Sequence, residues 1–222
     1  MLNALLSGNI QIFIIRLLLT LPIVLLSLSV HETAHGYVAY KLGDPTAYNL
    51  GRLTLNPAKH LDPLGTLSMV LFGFGWAKPV PINTRYFRKP KRDMALTGVA
   101  GPISNILLAV LFALLLKATI FIFGFVTATE FTSQLYYWLW VFFSLGVQLN
   151  VTLAVFNLIP VPPLDGSRLL FAFLPSETYF KIMRYEKYIY IVFLVALAFG
   201  ILDTPISIMS NFILRIIDAA VF

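Results

Sequence analysis

Along most of this chain apolar residues do not alternate with polar ones. They run on for stretches long enough to cross a bilayer, which takes about 20 helical residues. The first run begins near Ile10, continues to Leu42 and stops at Gly43-Asp44-Pro45. A second reads from about Met94 to Phe125. The third goes from about Leu135 to Leu158 and is broken by Pro160, Pro162 and Pro163. A fourth goes from Tyr188 to about Leu202. The pattern predicts a multi-pass α-helical membrane protein, with helices over 10–42, 94–125, 135–158 and 188–202 in a single integral-membrane domain over 1–222. It leaves open whether the tail, 205–222, spans the bilayer or lies along it.

The periodicity changes between the first two runs. Asn49-Leu50-Gly51-Arg52-Leu53-Thr54-Leu55 alternates, and Ala77-Lys78-Pro79-Val80-Pro81-Ile82 reads as an extended edge marked by prolines. A small membrane-edge β element is therefore expected within about 48–85. Leu64 to Gly75 is apolar but too short for a full span, so it reads as a re-entrant or interfacial piece. Phe72, Phe74 and Trp76 read as packing or interface anchors, with substrate gating as the less favoured alternative.

Composition sharpens this picture. Of 222 residues 59% are hydrophobic and only 12% charged, well outside the range of ordinary soluble domains. The net charge of +6 could point to nucleic acid, but the basic residues gather in loops between the apolar runs. Cytoplasmic loops account for them better, and no nucleic-acid partner is expected. The loops 41–93 and 168–187 are basic and 127–134 has no Lys or Arg, so the former should face the cytoplasm and the latter the outside. The opening has no basic lead of the kind that precedes a cleaved signal. With no cysteine, disulfides, thiolate metal sites and cysteine nucleophiles are excluded.

Candidate chemistry lies in Ser27-Leu28-Ser29-Val30-His31-Glu32-Thr33-Ala34-His35-Gly36. On a helix His31 and His35 project from one face and can grip one metal ion, and Glu32 beside them is placed to act as a base toward water. Such groups inside a hydrocarbon span are costly unless paired, which makes them a functional site by default. A catalytic zinc site takes three protein ligands. The first Glu after Glu32 is Glu130, in the outward loop, and the spacings of the three-histidine class fall on Val38 and Lys41. Asp165, after the proline-broken end of the third helix, lies on the same side as the histidines. It reads either as a turn aspartate before Gly166 or as the third ligand, and beside an incomplete two-histidine site the ligand reading is favoured.

His31-Glu32-Thr33-Ala34-His35, Gly101-Pro102-Ile103-Ser104-Asn105 and Asn157-Leu158-Ile159-Pro160-Val161-Pro162-Pro163-Leu164-Asp165-Gly166 together resemble the site-2 protease family of intramembrane zinc metalloproteases, across about residues 25–170. The resemblance implies a three-helix catalytic core and one Zn²⁺ held by His31, His35 and Asp165, with Glu32 as the base. It implies peptide-bond hydrolysis in or near transmembrane segments of membrane-protein substrates, while the loop charges place the active site toward the cytoplasmic side of the cell membrane. It also implies that the 48–85 region is the family's membrane-edge sheet, to which substrate adds as a strand. The chain is too short to include PDZ or nucleotide-sensing (CBS) domains, so a short form is expected.

Three further residues are candidates for contact with substrate or an oxyanion. Asn105 could do this or make an interhelical hydrogen bond. Asn157 could do it or satisfy a helix end, and His60 is otherwise a loop residue. Rival readings are a membrane metal transporter and a metal-binding membrane scaffold in which Glu32 has no task. The central parts of the helices offer no chain of carboxylates for a transport path.

Overall fold

A computed structural model describes residues 9–72 and 75–222. Phe74 and the lead 1–8 lie outside the described residues, as does the side chain of Phe72. Long apolar helices dominate. Helix α1 is Ile10–Lys41, followed by the single turn α2, Thr46–Asn49, and the short helix α3, Pro63–Phe72. Helix α4 is Pro90–Phe123 and α5 is Glu130–Leu158. Then come α6, Gly166–Phe173; α7, Ser176–Arg184; α8, Glu186–Ala198; and α9, Asp203–Val221.

The long helices begin where the chain supplies partners for free amides. The Asn9 side chain accepts from Ile12 N–H at the start of α1. Pro90 occupies the first turn of α4, and the Asp93 carboxylate accepts from Lys89 N–H at 2.9 Å. Thr129 and Thr132 close a reciprocal capping box on α5.

Helix α4 is central, packing against α1, α5, α6 and α9. Ala109 and Ala113 of α4, Val151 and Val155 of α5, and Ile217 and Val221 of α9 form one buried cluster. Ile23 of α1 joins Leu108 and Phe112 of α4 in another. Close approach depends on missing side chains: a Cβ at Gly146 would lie 2.6 Å from the Phe112 ring. Outward faces stay apolar, with Leu18, Leu107 and Phe121 all exposed. Such faces suit lipid rather than water.

Among the described residues four helices, α1, α4, α5 and α9, are long and apolar enough to cross a membrane. The helix expected over 188–202 forms as α8, and the tail whose course was left open forms α9. The apolar run after Tyr188 folds as α8, only 13 residues long, and ends before Gly200, whose positive φ of 69° turns the chain. The length needed falls instead on α9, where Asn211, Arg215 and Asp218 dilute the apolar pattern. Lys117 donates to the carbonyl of Val221 at the end of α9.

The expected β element is not there. Among the described residues there is no strand, only an isolated antiparallel bridge between Leu61 and Ala77. The reason is where the hydrogen-bonding groups go. Pro79 and Pro81 have no N–H, and that of Val80 is given to Glu32. The carbonyls of Lys78 and Pro79 accept from the buried guanidinium of Arg52. Residues 50–62 and 77–82 form a strap against α1, made possible at Gly36, where a Cβ would sit 2.6 Å from Leu53 and 3.1 Å from Val80.

Candidate metal centre

His31 and His35, one turn apart on α1, are buried at 5% and 3% exposure. Their Nε2 atoms lie 3.0 Å from each other. Asp165 reaches them from the junction of α5 and α6. Its backbone stands at the N-cap of α6, but its side chain makes no capping bond. Instead Oδ2 lies 3.0 Å from both Nε2 atoms, while Oδ1 faces Arg168 Nη1 at 3.5 Å. A turn aspartate serving only its own helix could make the Arg168 contact but would not reach the two imidazoles.

Glycines let these parts meet. A Cβ at Gly166 would run into the carbonyls of Leu158 and Ile159, so the start of α6 can fold back onto the end of α5 only without one. At Gly98 a Cβ would press on Arg168 at 2.8 Å and on the Asp165 carbonyl at 3.1 Å. Gly101 leaves open the space over the rings: a Cβ there would be 2.6 Å from His31 Nε2 and closer still to His35 Nε2.

The other nitrogen of each ring is committed. His35 Nδ1 lies 2.7 Å from the Thr97 carbonyl, which can only accept, so Nδ1 carries the proton. His31 Nδ1 donates likewise to Asn105 Oδ1 at 2.6 Å. Nε2 of each neutral ring is therefore a lone pair. Three electron-rich atoms facing one another at 3.0 Å repel unless a cation sits among them. Two imidazole nitrogens and one carboxylate oxygen match the donor types of a hydrolytic zinc site.

Glu32 points elsewhere on α1. Its Oε2 accepts from Val80 N–H at 2.7 Å, which ties the carboxylate to the strap. Thr33 Oγ1 donates to the Thr54 carbonyl, and His60 Nε2 donates to the same oxygen, each at 2.7 Å. His60 is buried at 1% exposure within the strap and is not part of the His31–His35–Asp165 group. Asn157 turns its amide back to the Leu153 carbonyl of its own helix. Asn105 is fully buried, with Nδ2 donating to Asn150 Oδ1 and Ser27 O. Asn150 and the Arg168 contact do not emerge from sequence reasoning. For Asn150 the available signal is an amide side chain within an apolar helix.

A family model described as peptidase family M50 matches residues 122–202, the part that contains Asn157 and Asp165. YwhC of Bacillus subtilis, provisionally named a zinc metalloprotease, is 46% identical over 171 residues, covering 77% of this chain and 76% of that protein. Rip2 of Mycobacterium tuberculosis, provisionally named likewise, is 32% identical over 179 residues, 78% of this chain and 63% of its own length. A similarly named protein of Methanocaldococcus jannaschii is 29% identical over 140 residues, 63% of this chain and 62% of that protein. No solved structure matches significantly.

Proposed function

The chain belongs to peptidase family M50 and is an intramembrane zinc metalloprotease, and we propose the following division of labour among its residues. His31, His35 and Asp165 hold one zinc ion. Glu32 is the general base. Asn105 supports His31 rather than contacting substrate, and the site opens toward the cytoplasmic side, where the basic loops lie. One observation carries the reading: three unprotonated donor atoms, from α1 and from the α5–α6 junction, converge at 3.0 Å with both Nδ1 atoms already spent.

When bound, zinc acidifies water and polarises the scissile carbonyl. The remaining work belongs to the chain. Glu32 takes the proton of the attacking water as the oxygen–carbon bond forms, then delivers it to the amide nitrogen as the carbon–nitrogen bond breaks. The Val80 amide holds one oxygen of Glu32, so the carboxylate keeps one orientation. Arg168 occupies the second oxygen of Asp165 and directs the first toward the imidazoles. A substrate helix has to unwind locally, because its peptide bonds are shielded while hydrogen-bonded. The substrates are membrane-embedded proteins, and lipid is the surrounding partner.

Purified Glu32→Gln is expected to keep its zinc and to lose about 10²–10⁴-fold in turnover of a transmembrane reporter. Asp165→Asn is expected to lose zinc as well as turnover. A Glu32→Gln variant with undiminished turnover would overturn the assignment of the base, and normal zinc content in Asp165→Asn would remove the third ligand.

A further inference from the structure

Asn150 is among the most deeply enclosed polar side chains in the molecule, with no exposed surface on a helix whose surroundings are apolar. Its partners fix its orientation without ambiguity. The Gly146 carbonyl can only accept, so the Asn150 NH₂ group faces it, at 2.8 Å. Oδ1 must then face the other way, where it accepts from Asn105 Nδ2 at 3.0 Å. That bond in turn fixes Asn105. With its NH₂ directed at Asn150 and at the Ser27 carbonyl, Asn105 presents Oδ1 to His31 Nδ1 at 2.6 Å. A carbonyl oxygen there requires the proton on Nδ1, which leaves Nε2 as the lone pair facing Asp165. One line of amides thus runs from α5 through α4 to α1 and ends at a ring nitrogen.

We propose that Asn150 is a positioning residue of the metal centre: acting through Asn105, it fixes His31 as the Nδ1–H tautomer and so keeps Nε2 available to the metal. The proposal rests on the reading of His31 as a ligand. Reversing either amide would present an NH₂ group to Nδ1, stabilising the tautomer whose Nε2 carries a proton and cannot bind. Partners one step behind a ligand histidine are worth about 10–100-fold in metal affinity. A purely structural interhelical bond would change the stability of the helix pair and leave affinity alone.

Zinc affinity is measured by chelator competition on the purified full chain in detergent, with cobalt substitution to record the visible spectrum of the site. Asn150→Leu, of similar volume and without an acceptor, is expected to bind zinc about 10–100-fold more weakly and to shift the cobalt spectrum. Asn150→Asp, which when protonated supplies the same acceptor and donor, is expected to recover to within a few-fold of wild type. The proposal is overturned if folded Asn150→Leu binds zinc within twofold of wild type, or if the two variants lose affinity equally. Should Asn150→Leu not fold, ¹⁵N-histidine spectra of metal-free wild type at alkaline pH decide the matter. A single Nδ1–H tautomer at His31 supports the relay, whereas Nε2–H or a mixture overturns it. Zinc binding by wild type and its loss in Asp165→Asn test the ligand reading separately, so failure of one is distinguishable from failure of the other.

Discussion

A methyl group at position 101 would occupy the space that the two imidazole nitrogens face. Gly101→Ala is therefore expected to cut zinc affinity by about tenfold or more, read as zinc retained after dialysis. The same substitution at an outward position of α4, Leu107→Ala, should leave zinc content unchanged, because Leu107 is 65% exposed. At this scale the sequence is informative where chemistry is local. His31 and His35 share a helical face by spacing alone, and the proline break after Leu158 puts Asp165 on the same side as they are. Asn150 is not legible in the same way. Periodicity shows a polar residue in an apolar run but not which neighbouring helix it meets, and the Asn105 pairing exists only once α4 and α5 have packed. The amides of Asn157 and Asn105 look alike in the sequence, yet one serves its own helix and the other a ring on α1.

At the scale of elements the strap formed by 50–62 and 77–82 is the informative case. Its alternating and proline-marked stretches read as sheet, but sheet formation needs free donors and acceptors, and here these are taken by Glu32 and Arg52. Hydrogen exchange tests this directly. Glu32→Ala removes a charged acceptor worth about 1.5–3 kcal/mol, so the Val80 amide should exchange at least about tenfold faster while amides in the middle of α4 do not change. Arg52→Gln should loosen the same segment to proteases without altering zinc content. The helix boundaries show a similar division. The proline stop after Leu158 is readable, whereas the split of the C-terminal run into α8 and α9 turns on the left-handed backbone at Gly200, which hydropathy does not register.

For the whole molecule, four long helices with apolar outer faces make lipid the solvent, and the two sides of the membrane can be distinguished chemically. The chain has no cysteine, so single introduced cysteines report sidedness without background. Lys89→Cys should react with an impermeant thiol reagent only from the cytoplasmic side, and Thr129→Cys only from the outside. Labelling of Lys89→Cys only from the outside and of Thr129→Cys only from the cytoplasm would reverse the proposed orientation, and labelling of both from one side would refute the crossing by α4. Zinc also links the parts thermodynamically, because its proposed ligands come from α1 and from the α5–α6 junction. Removal by a chelator is expected to cost about 3–4 kcal/mol of stability where free zinc had stood 10²–10³-fold above its dissociation constant, seen as a lower Tm. With a proline on either side of Val80, a slip of the strap by one residue in either direction would bring a tertiary amide against the Glu32 carboxylate. The register is consequently all-or-none, and a loop that elsewhere could creep by degrees can here only click into place or let go.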